Sequence, residues 1–184
     1  MKKTIAISSG HGLHVRGASG HVDEVDEARK VVDRVAEDLR ALGHVALVFH
    51  DDASGTQARN LDATVGWHNK QARDLDLSVH FNSSPDGLVE KAIGVEAAVH
   101  PSADGATRGI ASRLAKAVAD SGGLRLRRPG KWPGVHEVNT SFGRVCKKNP
   151  VILEVCFVNS AEDCRLYGER FEAICAAIAR ELAA

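Results

Sequence analysis

Apolar stretches alternate with amphipathic stretches along the whole chain, and this pattern predicts alternating strands and helices. Short apolar runs predict strands at Thr4 to Ser9, Val45 to Phe49, Leu75 to His80, Gly94 to Val99 and Val151 to Phe157. Amphipathic periodicity predicts helices at Glu24 to Leu42, Gln57 to Arg73, Gly105 to Ser121 and Glu162 to Ala184. In the second of these helices Leu61, Val65 and His68 follow one stripe. The apolar stripe of the first consists of Val25, Ala28, Val31, Val32, Val35, Ala36, Leu39 and Leu42. Residues 122–149 are rich in glycine, proline and basic residues, which predicts a long irregular loop.

The order of these elements defines the fold class. Strands that alternate with helices predict an α/β sandwich in which a mainly parallel sheet carries helices on both faces. The 184 residues contain no repeat, no low-complexity linker and no break in composition, so residues 1–184 are expected to form a single domain. In such folds functional sites gather beyond the carboxyl ends of the strands. The residues that follow each strand are therefore the first candidates for a site.

Charge and composition argue against several classes of protein. Lys+Arg and Asp+Glu both total 24, and this balance disfavours a nucleic-acid or membrane-surface binder. No apolar run approaches the ~20 residues that a membrane-spanning helix needs. The four cysteines form no CxxC pair, which disfavours a structural zinc knuckle. Lys2 and Lys3 precede an apolar stretch too short for the core of a signal peptide, so we interpret that stretch as the first strand.

Three polar side chains stand at the ends of predicted strands or inside them. His11 follows the first strand, His80 ends the third, and Glu154 interrupts the apolar run of the last. Taken singly, each histidine has the ordinary interpretation of a hydrogen-bonded core or rim residue, and Glu154 that of a carboxylate facing solvent or an arginine. An unpaired carboxylate in an apolar strand is otherwise costly. Because parallel strands end at the same edge of a sheet, we expect the three to lie together.

This convergence predicts a metal-dependent hydrolytic site. A catalytic zinc ion (Zn²⁺) takes three protein ligands and keeps its fourth position for water, and two histidines with one carboxylate form a common set. A further carboxylate is then needed as general base. Glu24 and Glu27, at the start of the first long helix, are both candidates for the third ligand. Acidic residues in a first turn also have a simpler role, because they stabilise the helix dipole.

Four motifs stand in a fixed order along the chain. They are Ser9-Gly10-His11-Gly12, Gly17-Ala18 before an acidic helix start, Ser78-Val79-His80-Phe81-Asn82, and Ile152-Leu153-Glu154-Val155-Cys156-Phe157-Val158-Asn159. Together they resemble the N-acetylmuramoyl-L-alanine amidases, and more narrowly the zinc-dependent type-3 amidase domains of bacterial autolysins and phage endolysins. The resemblance covers nearly the whole chain and implies an α/β sandwich with a mainly parallel sheet.

The resemblance also implies a role for individual residues. The zinc ligands of the family match His11, Glu24 and His80. Its catalytic glutamate matches Glu154. Glu24 is favoured over Glu27 because the family's ligand opens the first helix at a fixed distance before the closing glycine, here Gly43. The chain departs from the family at Ala28, where many relatives carry asparagine.

Further residues are candidates for contact with the substrate. Val138-Asn139-Thr140 best matches the family's substrate-facing strand before the last one, so Asn139 and Thr140 are candidates. Asn82 ends the motif of His80, and His136 lies in the long loop near Trp132. A basic cluster in the same loop is either a solvated face or an attraction site for anionic wall polymers. It consists of Arg125, Arg127, Arg128 and Lys131.

The activity that the resemblance implies is hydrolysis of the amide between N-acetylmuramic acid and the L-alanine of the peptidoglycan stem peptide. A carboxypeptidase-type zinc hydrolase acting on wall peptides is one alternative. Such enzymes usually draw a histidine and a glutamate ligand from one short HxxE turn, whereas His11 and Glu24 lie far apart in the sequence. A non-catalytic wall-binding relative is the other alternative, but such relatives typically lack a ligand or the base, and neither is missing here.

The same resemblance sets expectations for organisation and location. We expect residues 1–184 to be a zinc-dependent amidase catalytic domain without a separate cell-wall-binding domain. The expected partner is peptidoglycan, with no nucleic acid and no insertion into a membrane, and a monomer is the expected oligomeric state. Because no signal peptide is recognised, the protein is expected to be made in the cytoplasm and to act on the cell wall after release or export.

Overall fold

The computed structural model describes residues 1–184 and contains six strands and five helices. The strands are β1 (Thr4–Gly12), β2 (Val45–Asp51), β3 (Leu75–Asn82), β4 (Glu96–Val99), β5 (Val135–Glu137) and β6 (Val151–Phe157). The helices are α1 (Glu24–Ala41), α2 (Gln57–Lys70), α3 (Gly105–Gly122), α4 (Ser141–Val145) and α5 (Ala161–Ala183). Every strand and helix that the apolar pattern predicts is present, and the predicted α/β class is confirmed.

The six strands form one sheet in the order β2-β1-β3-β6-β4-β5. β1, β2, β3 and β6 run parallel to one another, whereas β4 runs antiparallel to β6 and parallel to β5. The prediction of a mainly parallel sheet is therefore confirmed. Because β4 is reversed, its first residue lies at the same edge as the carboxyl ends of β1, β3 and β6. Glu96 consequently pairs with Glu154 across the β4–β6 ladder.

Helices cover both faces of the sheet, as predicted. α1 and α3 pack with α5 on one face, and α2 packs with α4 on the other. The first face holds the main core of 33 buried residues, which supplies most of the apolar burial that stabilises the fold. The predicted apolar stripe of α1 is buried there, except Leu42, which follows the helix and is 49% exposed. Every helix of the chain is too short or too polar to span a bilayer.

The fully buried positions of α2 are polar; of the predicted stripe, His68 is fully buried, while Leu61 and Val65 are half-buried. The buried residues of α2 are Asn60, Thr64 and His68. His68 is fully buried between two strands, with Nδ1 2.8 Å from Asp76 Oδ1 and Nε2 2.9 Å from Ser8 Oγ. Because hydrogen bonds satisfy its polar atoms, this face can be buried without apolar side chains.

Residues 122–149 are not irregular throughout, so the predicted loop is wrong in part. The segment contains β5, a short edge strand that pairs with β4, and the helix α4. The stretch from Val138 to Thr140, predicted to be a strand, lies just after β5. Val138 N still donates to Val99 O at 2.9 Å, but the Thr140 side chain already caps α4 by accepting from Gly143 N at 3.1 Å.

Candidate active site

His11 lies near the end of β1 in a backbone conformation that residues other than glycine rarely adopt. Its φ of 59° falls in the left-handed region. Such a conformation costs on the order of 1 kcal/mol or more and persists where the surroundings hold it, often at functional sites. Nδ1 of His11 lies 3.2 Å from Gln57 Oε1, while Nε2 faces Glu24 at 3.5 Å from Oε1. The imidazole is therefore fixed on one side and available on the other.

Glu24 is the first residue of α1, which begins there because the Asp23 side chain caps the helix. The Glu24 side chain is only 4% exposed. Its Oε2 accepts a hydrogen bond from Ala18 N at 2.7 Å, which orients the carboxylate. Its Oε1 lies 3.0 Å from His80 Nδ1 and also faces His11. One carboxylate oxygen thus points at both imidazoles.

Two glycines permit this close approach. A Cβ at Gly17 would lie 2.1 Å from Glu24 Oε2, and a Cβ at Gly10 would lie 2.3 Å from the His80 ring. Both distances are far inside van der Waals contact, so any side chain at either position displaces a site residue. Steric exclusion therefore explains why the first two sequence motifs have glycine at positions 10 and 17.

Three donor atoms meet in a geometry that suits a metal ion. His11 Nε2, Glu24 Oε1 and His80 Nδ1 all lie within 4.8 Å of one another. Tetrahedral zinc with bonds of ~2.0–2.1 Å separates neighbouring ligand atoms by about 3.3 Å, and Glu24 Oε1 lies 3.5 and 3.0 Å from the two imidazole nitrogens. The outer nitrogen of His80 lies 3.0 Å from Ser78 Oγ, an anchor of the kind that orients metal-binding histidines. The three residues form a candidate metal site.

The electrostatics of the three residues are coupled. Burial lowers the pKa of His11 below its ordinary value, although the charge of Glu24 opposes the effect. Burial also lowers the pKa of His80, but the hydrogen bond to Glu24 and the charges of Glu154 and Glu24 together outweigh it, so that the pKa of His80 is raised. Burial raises the pKa of Glu24, yet its contacts with both histidines outweigh this and hold the pKa below its usual range. The proton between His80 and Glu24 competes with a metal ion, so metal affinity falls at low pH.

Glu154 lies beside His80, because the two residues are register partners of β6 and β3. Its Oε2 is buried and has no hydrogen-bond partner. Burial raises the pKa of Glu154 to about 7, the charge of His80 opposes the rise, and the charges of Glu24 and Glu96 add to it. A carboxylate with an unpaired oxygen and a pKa near neutrality is equipped to accept and return a proton.

Glu96 is a residue of this site that the sequence did not reveal. It is 2% exposed, pairs with Glu154 and is bound by Arg127 and Arg128 through Nε atoms at 2.9 Å. Burial raises the pKa of Glu96, but the two arginines outweigh it and keep the pKa low. The one available signal was a carboxylate inside a strand of small apolar residues, the same signal that identified Glu154.

Two concave surfaces flank the histidines. One is a cavity of about 270 Å³ lined by residues of β1, β3, β6, α2 and α4, including both histidines and Thr140. The other is shallower and includes the three candidate metal ligands, Glu154 and Asn82. His136 lines neither surface but lies beside Glu96, with its Nδ1 3.6 Å from Glu96 Oε1.

The fourth candidate substrate residue, Asn139, lines neither surface. Its Oδ1 lies 3.1 Å from His100 Nε2. The structure therefore brings Asn82 and Thr140 next to the histidines, places His136 beside Glu96 and directs the Asn139 side chain toward His100.

Glu27 has a different environment from Glu24, although one helical turn separates them. Its Oε2 accepts a hydrogen bond from the Tyr167 hydroxyl at 2.9 Å, and its Oε1 lies 2.7 Å from Lys30 Nζ. Neither oxygen belongs to the candidate metal site.

This difference makes a matched pair of variants. Glu24→Gln is expected to lower metal affinity roughly a hundredfold or more, because it replaces a charged donor, while Glu27→Gln retains the wild-type affinity. Titration of the metal-free proteins with zinc, followed by calorimetry, measures both. Equal losses in the two variants would place the third ligand elsewhere.

The fold and the site together define a class of protein: a single-sheet α/β domain with a candidate site of two histidines and a glutamate at the sheet edge, beside a second carboxylate. A family model described as N-acetylmuramoyl-L-alanine amidase (Amidase_3) matches residues 5–184. The chain belongs to this family.

Two curated relatives match most of the chain. An uncharacterized protein of Clostridium perfringens (strain 13 / Type A) is 29% identical over 168 residues, which are 90% of this chain and 47% of that protein. An uncharacterized 38.4 kDa protein of Clostridium perfringens is 28% identical over 168 residues, 90% of this chain and 46% of its own length. The chain thus spans about half the length of the curated relatives it matches.

Solved structures share the fold. The catalytic domain of the CD27L endolysin targeting Clostridia difficile is 19% identical with a TM-score of 0.82, over 98% of this chain and 97% of that one. The catalytic domain of CwlV, an N-acetylmuramoyl-L-alanine amidase from Bacillus (Paenibacillus) polymyxa var. colistinus, is 21% identical with a TM-score of 0.80, over 100% and 97%. At these identities the likeness establishes the fold alone.

Proposed function

We propose that this chain is a peptidoglycan hydrolase that acts on the cell wall and cleaves the amide between N-acetylmuramic acid and the L-alanine of the stem peptide. The observation that carries the proposal is the meeting of His11, Glu24 and His80 within 4.8 Å, beside Glu154. Membership of the amidase family supports it, since the family is described by this reaction. Residues 1–184 then act as the catalytic domain.

We infer that His11, Glu24 and His80 hold a zinc ion. Two imidazoles and one carboxylate suit zinc, and both rings are anchored through their outer nitrogens. When bound, zinc supplies a Lewis acid that polarises the amide carbonyl and lowers the pKa of water toward ~7.

Glu154 performs the proton transfers in this proposal. Its unpartnered Oε2 takes a proton from the attacking water and returns it to the amide nitrogen as the C–N bond breaks. Glu154 delivers one proton of the water to the amide nitrogen, and the second proton passes from the new carboxyl group to the released amine. The products are therefore a carboxylate on the lactyl group and an ammonium group on L-alanine, so protons and charges balance. Because Glu154 pairs directly with His80, base and metal ligands face the same amide.

The candidate substrate residues have separate places in this proposal. Asn82 and Thr140 are positioned to contact substrate on the two concave surfaces beside the histidines. His136 is positioned to border the groove near Glu96. A contact from Asn139 requires that its side chain leave His100.

The proposed reaction is tested by its products. The zinc-loaded protein is expected to release a new L-alanine amino terminus from a muramoyl peptide, to lose this activity on chelation and to regain it when zinc is restored. Mass spectrometry of the products separates this cleavage from a carboxypeptidase, which shortens the peptide at its other end. Intact substrate after incubation with the zinc-loaded protein would contradict the proposal.

A further inference from the structure

Glu96 holds two arginines next to the candidate site. Its Oε2 accepts from Arg127 Nε and Arg128 Nε, both at 2.9 Å, and its Oε1 accepts from Asn82 Nδ2 at 3.1 Å. The arginine segment is fastened to the start of β4, because Arg127 N donates to Val95 O at 3.1 Å. The positions of both guanidinium groups are therefore set by a buried carboxylate and by the backbone.

These guanidinium groups keep unused hydrogen-bonding capacity. Each donates to the protein through Nε alone, so the Nη groups have no acceptor within the chain. Arg127 is 27% exposed and lies 4.7 Å over the Phe157 ring, and Arg128 is 42% exposed. One carboxylate against two guanidiniums leaves a surplus positive charge. Planar guanidinium groups of this kind bind carboxylates through two parallel hydrogen bonds.

Glu96, the carboxylate that holds both arginines, lies at a distance from His80 that a short peptide can span. His80 pairs with Glu154, and Glu154 pairs with Glu96, so two strand spacings separate the first residue from the last. Adjacent strands are ~4.8 Å apart, which puts His80 and Glu96 about 10 Å apart. An extended peptide covers about 10 Å in roughly three residues.

The cavity on the other side of the histidines has a different character. It is lined by residues of β1, β3, β6, α2 and α4, including His11 and His80. Apart from the two histidines no lining residue is ionisable. The candidate site is thus flanked by an uncharged cavity on one side and by two cationic arginines on the other. This arrangement suits a substrate that joins a neutral sugar to an acidic peptide.

We propose that Arg127 and Arg128 bind a carboxylate of the stem peptide, on the amine side of the bond that is cut, while the sugar side lies over the uncharged cavity. This inference rests on the proposed function and adds a direction and a substrate preference to it. The ligand is an acidic peptide whose carboxylate lies within the first few residues after the scissile amide. Stem peptides with D-glutamate at the second position provide such a group, and those with D-isoglutamine replace it by an uncharged amide.

The test compares two substrates in which the γ-carboxyl group of the second residue is blocked as an amide. They differ only at the α-carboxyl group, which is a free carboxylate in N-acetylmuramoyl-L-alanyl-D-glutamate γ-amide and a carboxamide in N-acetylmuramoyl-L-alanyl-D-isoglutamine γ-amide. The zinc-loaded wild type is expected to cleave the acidic substrate with a kcat/KM roughly tenfold or more above that of the amide, because a charge-assisted pair is lost in the amide. Arg128→Asn is expected to remove most of this ratio by raising KM for the acidic substrate. Arg128 has a φ of 51°, which asparagine tolerates, so the exchange adds little backbone strain.

A matched variant controls for charge. Arg144 is exposed on α4, has no side-chain partner and forms no ion pair with Glu96, so Arg144→Asn makes the same exchange and is expected to keep the wild-type ratio. Arg128→Lys keeps the charge without the planar fork and is expected to lose part of the ratio. Calorimetry with the Glu154→Gln protein reads the same preference as binding, without turnover.

Equal efficiency of the wild type on the two substrates, or an unchanged ratio in Arg128→Asn, overturns the arginine site and leaves the proposed function standing. Failure of the zinc-loaded wild type to cleave either substrate overturns the proposed function itself. The two failures are therefore distinguishable in one experiment.

Discussion

Replacing Glu154 with glutamine is expected to lower kcat by roughly 10²–10⁴ while the metal content and the fold stay unchanged. Glutamine keeps the size of the side chain but cannot accept a proton at neutral pH. The substitution removes a base that burial has brought to a pKa of about 7, and it places a neutral group where a charge is costly. Bound metal is expected to oppose this rise and lower the pKa, which keeps the base ionised.

The measurement takes zinc content, the thermal unfolding midpoint and the rate of amino-group release from one preparation. Glu137→Gln is a suitable control, because Glu137 is half-exposed on β5 and pairs with Arg108 away from the histidines. Loss of zinc from the Glu154 variant would identify Glu154 as a ligand. Normal turnover in that variant would remove it from the mechanism.

Replacing His80 with alanine is expected to abolish zinc binding and wall hydrolysis together. His80 supplies one of the three donor atoms, and its loss leaves Glu24 with only His11 as a nearby imidazole. Two remaining ligands cannot hold a catalytic zinc ion at ordinary affinity, since such sites use three protein ligands.

Elemental analysis and turbidity loss of a wall suspension measure these two effects. His14→Ala is the matched control, because His14 is exposed and lies outside the candidate site. Its zinc content and activity are expected to equal those of the wild type. Full zinc stoichiometry in the His80 variant would exclude His80 from the ligand set.

The apolar pattern predicted those elements whose stability depends on apolar burial. β6 has the predicted bounds, and α1 buries the predicted stripe, because both pack into the main core. α2 differs because hydrogen bonds satisfy its buried face. His68 forms hydrogen bonds with Ser8 of β1 and Asp76 of β3, and no local sequence pattern predicts contacts between such distant elements.

Short edge elements were also beyond local prediction. β5 has only three residues and pairs with β4, so it contains too few positions for a periodic pattern. α4 follows at once, with five residues and a threonine cap. Their positions depend on the finished sheet, which the composition of residues 122–149 does not describe.

The sequence predicted those residues of the candidate site that lie at the ends of parallel strands. His11, His80 and Glu154 were grouped because their strands were expected to end together, and they do lie at one edge; their roles stay predictions. Glu96 was not predicted, because β4 runs antiparallel to β6 and therefore reaches the site with its first residue, not with its last. The arginines that hold it belong to a loop far along the chain.

The order of strands in the sheet has a consequence for biosynthesis. β6 is the last strand to leave the ribosome, yet it lies between β3 and β4 and carries Glu154. A nascent chain that stops before Val151 lacks the strand that joins β3 to β4, and it also lacks Glu154, the proposed general base. Translation must therefore pass β6 before the proposed active site is complete. His11 and His80 are synthesised early, but the proposed site is complete only after Glu154 has been synthesised.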